Sequence, residues 1–167
     1  MQFLKTGRNA HAWAAGSMQQ VVEASTSRMK DSDLNAIATY LKSLAPVPPK
    51  SPPAPDAKQM QAGQAVFVAR CSVCHTRTST QGYPTLVGNT LVQSQNPDTV
   101  LHIIQQGAST ADTKNAGSGF SMPAFPVLSD QEMADVATYI RNSWGNKAPP
   151  VSKDDVKSLR KILKDGE

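Results

Sequence analysis

Apolar side chains recur at helical spacing in five stretches of the chain, which predicts an all-α protein. Leu34, Ile37, Ala38, Leu41 and Leu44 form one stripe behind Asp31 and Ser32, which read as a cap, and predict an amphipathic helix of about three turns. Met133, Val136, Ala137, Ile140 and Trp144 form another. It opens on Ser129-Asp130-Gln131-Glu132, a capping-box pattern, and is expected to end near Gly145, with Pro149 and Pro150 beyond. Residues 58–70 read as a helix with Gly63 in its interior. A glycine there costs about 1 kcal/mol relative to alanine, so its use points to another helix approaching closely. A shorter helix is expected over 97–106, with Asn96 as cap and Gly107 as stop, followed by a polar loop over 108–120. Last, Val156, Leu159, Ile162 and Leu163 share a face behind Ser152.

Two of these stripes are related. Positions 34, 37, 38 and 41 recur as 133, 136, 137 and 140, an offset of 99 residues, and Asp31 matches Asp130. Ala38-Thr39-Tyr40 repeats as Ala137-Thr138-Tyr139. Each helix follows a Ser-Met pair, Ser17-Met18 and Ser121-Met122, with gaps that differ by five residues. The chain therefore reads as one whole unit preceded by the rear part of another of the same kind. Between them, residues 45–57 hold six of the twelve prolines and predict a semi-rigid extended spacer, at most ~40 Å long at ~3.1 Å per residue. The expected organisation is a front segment 1–44, a Pro-rich linker 45–57, a main domain 58–147 and a charged helical tail 148–167.

Composition narrows the possibilities. A chain of 167 residues with 39% hydrophobic and 5% aromatic side chains supports only a modest core, which a cofactor would help to fill. No run approaches the roughly eighteen apolar residues of a membrane-spanning helix, and no apolar stretch follows Met-Gln-Phe-Leu-Lys as in a secretion signal. The net charge of +4 is dispersed. Residues 1–44 carry five basic and three acidic groups, 45–57 one of each, 58–147 six and five, and 148–167 five and four. No basic stripe suited to nucleic-acid phosphates exists.

The chemistry centres on Cys71-Ser72-Val73-Cys74-His75, which contains both cysteines of the chain. In C-x-x-C-H, one helical turn presents two thiols to the two vinyl groups of a haem, and the adjoining imidazole falls where it can bind the iron. A dithiol oxidoreductase would set such a pair after a strand, whereas a helical segment precedes it here. A zinc site would need two more ligands, and His11 and His102 read as surface or packing residues. A second iron ligand is sought in Gly117-Ser118-Gly119-Phe120-Ser121-Met122-Pro123-Ala124-Phe125. Met122 lies there outside any periodic pattern and beside a proline, whereas Met133 reads as core filler and Met60 as a helix-start residue. His/Met ligation raises the reduction potential and occupies both axial positions, favouring an electron carrier over a haem peroxidase.

With these features, residues 58–147 resemble a class I cytochrome c domain. The resemblance rests on Gly63-x-x-x-Phe67, the C-x-x-C-H motif, Pro84-Thr85-Leu86-Val87-Gly88, the Met122 loop and the last helix with Tyr139. It implies one covalent haem c and a crossing of first and last helices near Gly63 and Phe67. It also implies a Pro84 carbonyl that accepts the second imidazole N–H of His75 and fixes the ring. Gly82-Tyr83-Pro84, Met122-Pro123-Ala124-Phe125 and Ala137-Thr138-Tyr139-Ile140-Arg141 are further similar to the last domain of multi-haem cytochrome subunits of bacterial membrane-bound dehydrogenases. That likeness implies a periplasmic electron relay on the outer face of the cytoplasmic membrane. Its partners would be an alcohol, aldehyde or gluconate-type dehydrogenase on one side and quinone or a terminal oxidase on the other.

Residues 1–44 resemble the tail of a preceding haem domain, with Met18 at its methionine position. No C-x-x-C-H precedes Met18, so the front segment is not expected to hold a covalent haem here, and the sequence reads as a fragment of a longer protein. The basic, amphipathic tail could lie on a membrane surface or dock on a partner subunit, but with four acidic residues mixed in it reads rather as a solvated terminal helix.

Overall fold

The protein is described by a computed structural model covering residues 1–46, 51–75, 83–114, 116 and 119–165. Residues 47–50 of the expected linker, together with Gly82, Gly117 and Ser118, lie outside the described residues. Packing divides the chain into two compact units that do not follow chain order: one comprises 1–49 with 108–122, the other 50–107 with 123–167.

In the first unit, α1 (Gln2–Thr6) and α2 (Ser17–Ala24) are followed by a single 3-10 turn, Thr26–Arg28, and by α3 (Asp31–Ser43). Its core is small: Ala14, Val22 and Ala111 are buried, with Phe3 packed on them. Thr26 Oγ1 donates to the Leu4 carbonyl at 2.6 Å, tying the 3-10 turn to α1. The helix expected behind Asp31 and Ser32 is present, but those residues do not cap it. Lys30 occupies the cap position and supplies no side-chain bond. Asp31 and Asp33 lie within the first turn instead, where their negative charge suits the exposed N–H groups. Asp31 also accepts from Lys5 Nζ at 3.0 Å. The stretch 108–120, expected as loop, closes a two-stranded antiparallel hairpin in which β1 (Ala108–Ser109) pairs with β2 (Ser121–Met122). The polar side chains that resemble loop are what close it: Thr110 Oγ1 accepts from Phe120 N at 2.7 Å, and Ser109 and Ser121 hydroxyls meet at 3.0 Å.

The second unit is built on α4 (Ala57–Arg70), α5 (Asp98–Gln106), α6 (Asp130–Asn142) and α7 (Lys153–Asp165). Asp56 caps α4, accepting from Lys58 N and Gln59 N. Gly63 does what its place in a helix implied: a Cβ built there would stand 2.1 Å from the Asp135 carbonyl oxygen, so α4 and α6 cross at backbone contact. Beside that crossing Phe67, Tyr139 and Trp144 pack ring on ring, with centroids 5.1 to 5.6 Å apart. The capping box of α6 is formed, Ser129 Oγ accepting from Glu132 N while Glu132 accepts from Ser129 N. The helix stops at Asn142, three residues before Gly145, because Ser143 turns extended at φ −106° and ψ 161°, and Trp144 follows at φ 57° within the aromatic cluster. For α5, Asn96 accepts from Asp98 N at 2.7 Å and Gly107 ends the helix at φ 74°.

The tail helix α7 starts behind Ser152, which exchanges hydrogen bonds with Asp155. It is not a free solvated helix: Val156 and Leu159 are buried, and Arg160 donates to Gln105 Oε1, Asp130 Oδ1 and the Leu128 carbonyl. Half of its apolar face is spent on its own unit, leaving Ile162 exposed. Among the described residues, no helix is long and apolar enough to cross a membrane.

Candidate functional site

Helix α4 delivers the C-x-x-C-H segment. Cys71 is its C-terminal cap residue, its N–H donating to the Phe67 carbonyl at 2.8 Å. The chain then makes one more turn, with Cys74 N and His75 N both donating to the Cys71 carbonyl, at 3.2 and 2.9 Å. Both thiols and the imidazole are thus carried on a single turn. Val73 is 86% exposed, whereas Cys71, Cys74 and His75 are half-buried.

The two thiols are free. Burial, reinforced by the neighbouring Cys74, pushes the Cys71 thiol up to about 11, so it is neutral at physiological pH. A redox dithiol instead works through a depressed, thiolate-forming cysteine, and the environment of Cys71 runs the other way. Burial also lowers the basicity of His75, partly opposed by the Pro84 backbone carbonyl acting on the ring as an acceptor. Nδ1 of that ring is buried and has no hydrogen bond of regular geometry among the described residues. In a neutral imidazole one ring nitrogen, as N–H, can donate to a carbonyl such as that of Pro84, and the other offers an in-plane lone pair to a metal.

The segment that follows Pro84, residues 85–88, is held by polar side chains whose roles pattern reading passed over. Asn146, almost wholly buried, donates through Nδ2 to the carbonyls of Leu86 and Ile140 and accepts from Gly88 N at 3.0 Å. Asn89 Nδ2 donates to the Thr85 carbonyl. Further along, fully buried Arg141 donates to the carbonyls of Val92, Ser94 and Pro149. Each of these bonds spans from 4 to 60 residues; only polar side chains on or just after an apolar stripe, as at 141 and 146, hinted at them.

Met122 stands in β2 opposite Ala108, half-buried, and belongs to the first unit. It is therefore part of a regular, if minimal, element, because the arms of its loop pair with each other. Met18 lies in α2 and is partly exposed. His102 is exposed and bonded to Gln106, and His11 is exposed.

Two uncommitted thiols one turn apart and the adjoining half-buried imidazole are a donor set that fits a covalently attached macrocycle whose iron the imidazole binds. Residues 60–144 match the Cytochrome c family, and the chain belongs to that family. Its cofactor is covalently bound haem c with iron, and the domain is an electron carrier. The chain is 39% identical over 174 residues to the cytochrome c subunit of a quinone alcohol dehydrogenase from Gluconacetobacter polyoxogenes, covering 95% of this chain and 37% of that protein. It is 36% identical over 184 residues to the gluconate 2-dehydrogenase cytochrome c subunit of Pantoea cypripedii, covering 96% and 40%. With the fructose dehydrogenase cytochrome subunit of Gluconobacter japonicus it shares 32% over 192 residues, covering 95% and 39%. The chain thus spans little more than a third of the length of these relatives.

Proposed function

We propose that this chain relays single electrons from a membrane-bound dehydrogenase toward quinone or a terminal oxidase, in the periplasm at the outer face of the cytoplasmic membrane. The observation that carries this reading is the turn after α4, which gathers two free thiols and a half-buried imidazole. When bound, haem c supplies one-electron iron chemistry. Cys71 and Cys74 would anchor it as thioethers, and His75 and Met122 would supply the ligands to its iron. Pro84 orients the imidazole through its carbonyl, and Asn146 steadies Pro84 by holding Leu86 and Gly88. A thioether ligand would favour ferrous iron and a high potential, which suits one-electron transfer.

Residues 1–44 are the rear part of a preceding unit of the same kind, a reading supported by the 99-residue offset between α3 and α6. The main haem domain is 58–147, between the Pro-rich linker 45–57 and the tail 148–167. Relatives named as dehydrogenase cytochrome subunits support the choice of electron donor.

The test is spectroscopic. After denaturation and solvent extraction, haem absorption should stay with the polypeptide and be lost from the Cys71→Ala, Cys74→Ala double variant. Met122→Ala should retain haem but lower the reduction potential. Extractable haem would end the attachment reading, and an unchanged potential would end the ligand assignment.

A further inference from the structure

The front segment has so far been given no role in electron transfer, yet its first twenty-four residues are fastened to the hairpin that carries Met122. That hairpin needs outside support, because its strands are two residues each and an isolated two-stranded hairpin is marginal in water. Support arrives on both arms. After β1, Thr110 forms an antiparallel bridge with Ala15. Ala111 sits so close to Gly7 that a Cβ built on the glycine would lie 2.6 Å from its own Cβ, and Gly7 takes φ 76°. The Asp112 N–H donates to Glu23 Oε1 at 2.7 Å. At the hairpin tip Arg8 Nη2 donates to the Ala116 carbonyl. Immediately before β2, Phe120 meets Trp13 edge to face with centroids 6.1 Å apart, and the Arg8 guanidinium lies 5.2 Å from the Trp13 centroid on that ring's face.

These contacts differ in kind from general packing. Glu23 and Arg8 make charge-assisted bonds to backbone groups, which fix the path of the main chain rather than filling space. The amide of Asp112 and the Gln19 side chain hold the Glu23 carboxyl below the usual range, so it is ionised at neutral pH. The backbone so fixed leads within the same short hairpin to Met122, opposite Ala108.

We propose that residues 7–23 act as a clamp on the Met122 hairpin, with Glu23 and Arg8 as positioning residues that set the direction of the thioether ligand. The inference rests on Met122 as the axial ligand. It gives the front segment a part in tuning the iron of the following domain: a change in 7–23 alters how firmly the sulfur is presented, and with it the reduction potential.

The test uses the full haem-loaded chain in four forms: parent, Met122→Ala, Glu23→Gln, and the double variant Glu23→Ala with Arg8→Met. Two quantities are read, the ferric thioether-to-iron charge-transfer absorption with the reduction potential, and hydrogen exchange at the Asp112 amide. The double variant should exchange that amide about ten-fold faster, as expected when a bond to a charged acceptor is lost. Its absorption and potential should move toward those of Met122→Ala while covalent haem is retained. Glu23→Gln keeps an acceptor oxygen and the fold, and should recover part of both readouts. If the double variant and Glu23→Gln keep the parent's absorption, potential and exchange while Met122→Ala loses the absorption, the clamp is refuted and the ligand assignment stands. If Met122→Ala itself keeps the absorption, the ligand assignment fails, and the clamp's bearing on the iron is refuted with it.

Discussion

Helices α3 and α6 are thirteen residues each, share their apolar register at an offset of 99, and are used in different ways. In α6 eight residues are buried, including Met133, Val136, Ala137 and Ile140 of the stripe. In α3 only Leu34 is buried, and Leu41, the counterpart of Ile140, is 54% exposed. The difference begins with the partner. Helix α6 lies against α4 at backbone distance through Gly63, whereas α3 is tied at its start through Lys5 to Asp31 and the Met29 carbonyl. It extends to the helix start: α6 has a full capping box, and α3 begins at a lysine with no side-chain cap. An apolar stripe states which face can be covered; burial requires a second surface shaped to meet it.

Substitutions at matched positions test this contrast. The largest effect is expected at Gly63, where Gly63→Val places a side chain against the Asp135 carbonyl and should cost about 3 kcal/mol or more in urea unfolding. If unfolding is unchanged, α6 does not depend on the close crossing. Next come the paired truncations. Ile140→Ala should destabilise by about 2–4 kcal/mol, while Leu41→Ala should stay within about 0.5 kcal/mol. Leu34 and Met133, both fully buried, should each cost about 2–5 kcal/mol when cut to alanine. Equal losses at 41 and 140 would mean that α3 is covered in solution as fully as α6.

Smaller effects concern the caps. Ser129→Ala should cost about 1 kcal/mol, and Lys30→Ser, three residues before Asp33, should gain about 0.5–1 kcal/mol by giving α3 the cap it lacks. Thermal melts of the two variants should move in opposite directions. The smallest effect is in acid. Hydrogen bonds from the Ser129 N–H and hydroxyl hold the Glu132 carboxyl below its ordinary value. That contribution is complete above the unfolded value and is lost as pH falls through the folded one. Parent protein should therefore lose more stability than Glu132→Gln between about pH 5 and pH 3, and parallel acid profiles would show that the box contributes nothing through charge.

Much of this molecule was readable one helical turn at a time. The stripe at 133–140, the box at 129–132, the Ser152 start of α7 and the stop at Gly107 depend on groups within four residues of each other, so spacing alone reveals them. The C-x-x-C-H turn is equally local, since one carbonyl, that of Cys71, receives the amides that shape it. The misreadings were local patterns with two outcomes. Asp31 and Ser32 can cap a helix or occupy its first turn, and a polar stretch such as 108–120 can remain loop or pair its own arms.

Sequence alone determined that the chain is helical, where α3 to α7 run but not α1 or α2, and that one turn carries two thiols and an imidazole. Tertiary structure decided which stripe is covered, which carbonyls Asn146 and Arg141 satisfy, and that the Met122 hairpin packs with residues 1–49 rather than with the helices flanking it in the chain. The physical reason is range. Helix periodicity, capping and turn chemistry act over three or four bonded neighbours, whereas burial and long-range hydrogen bonds depend on surfaces that meet only after the chain has closed on itself.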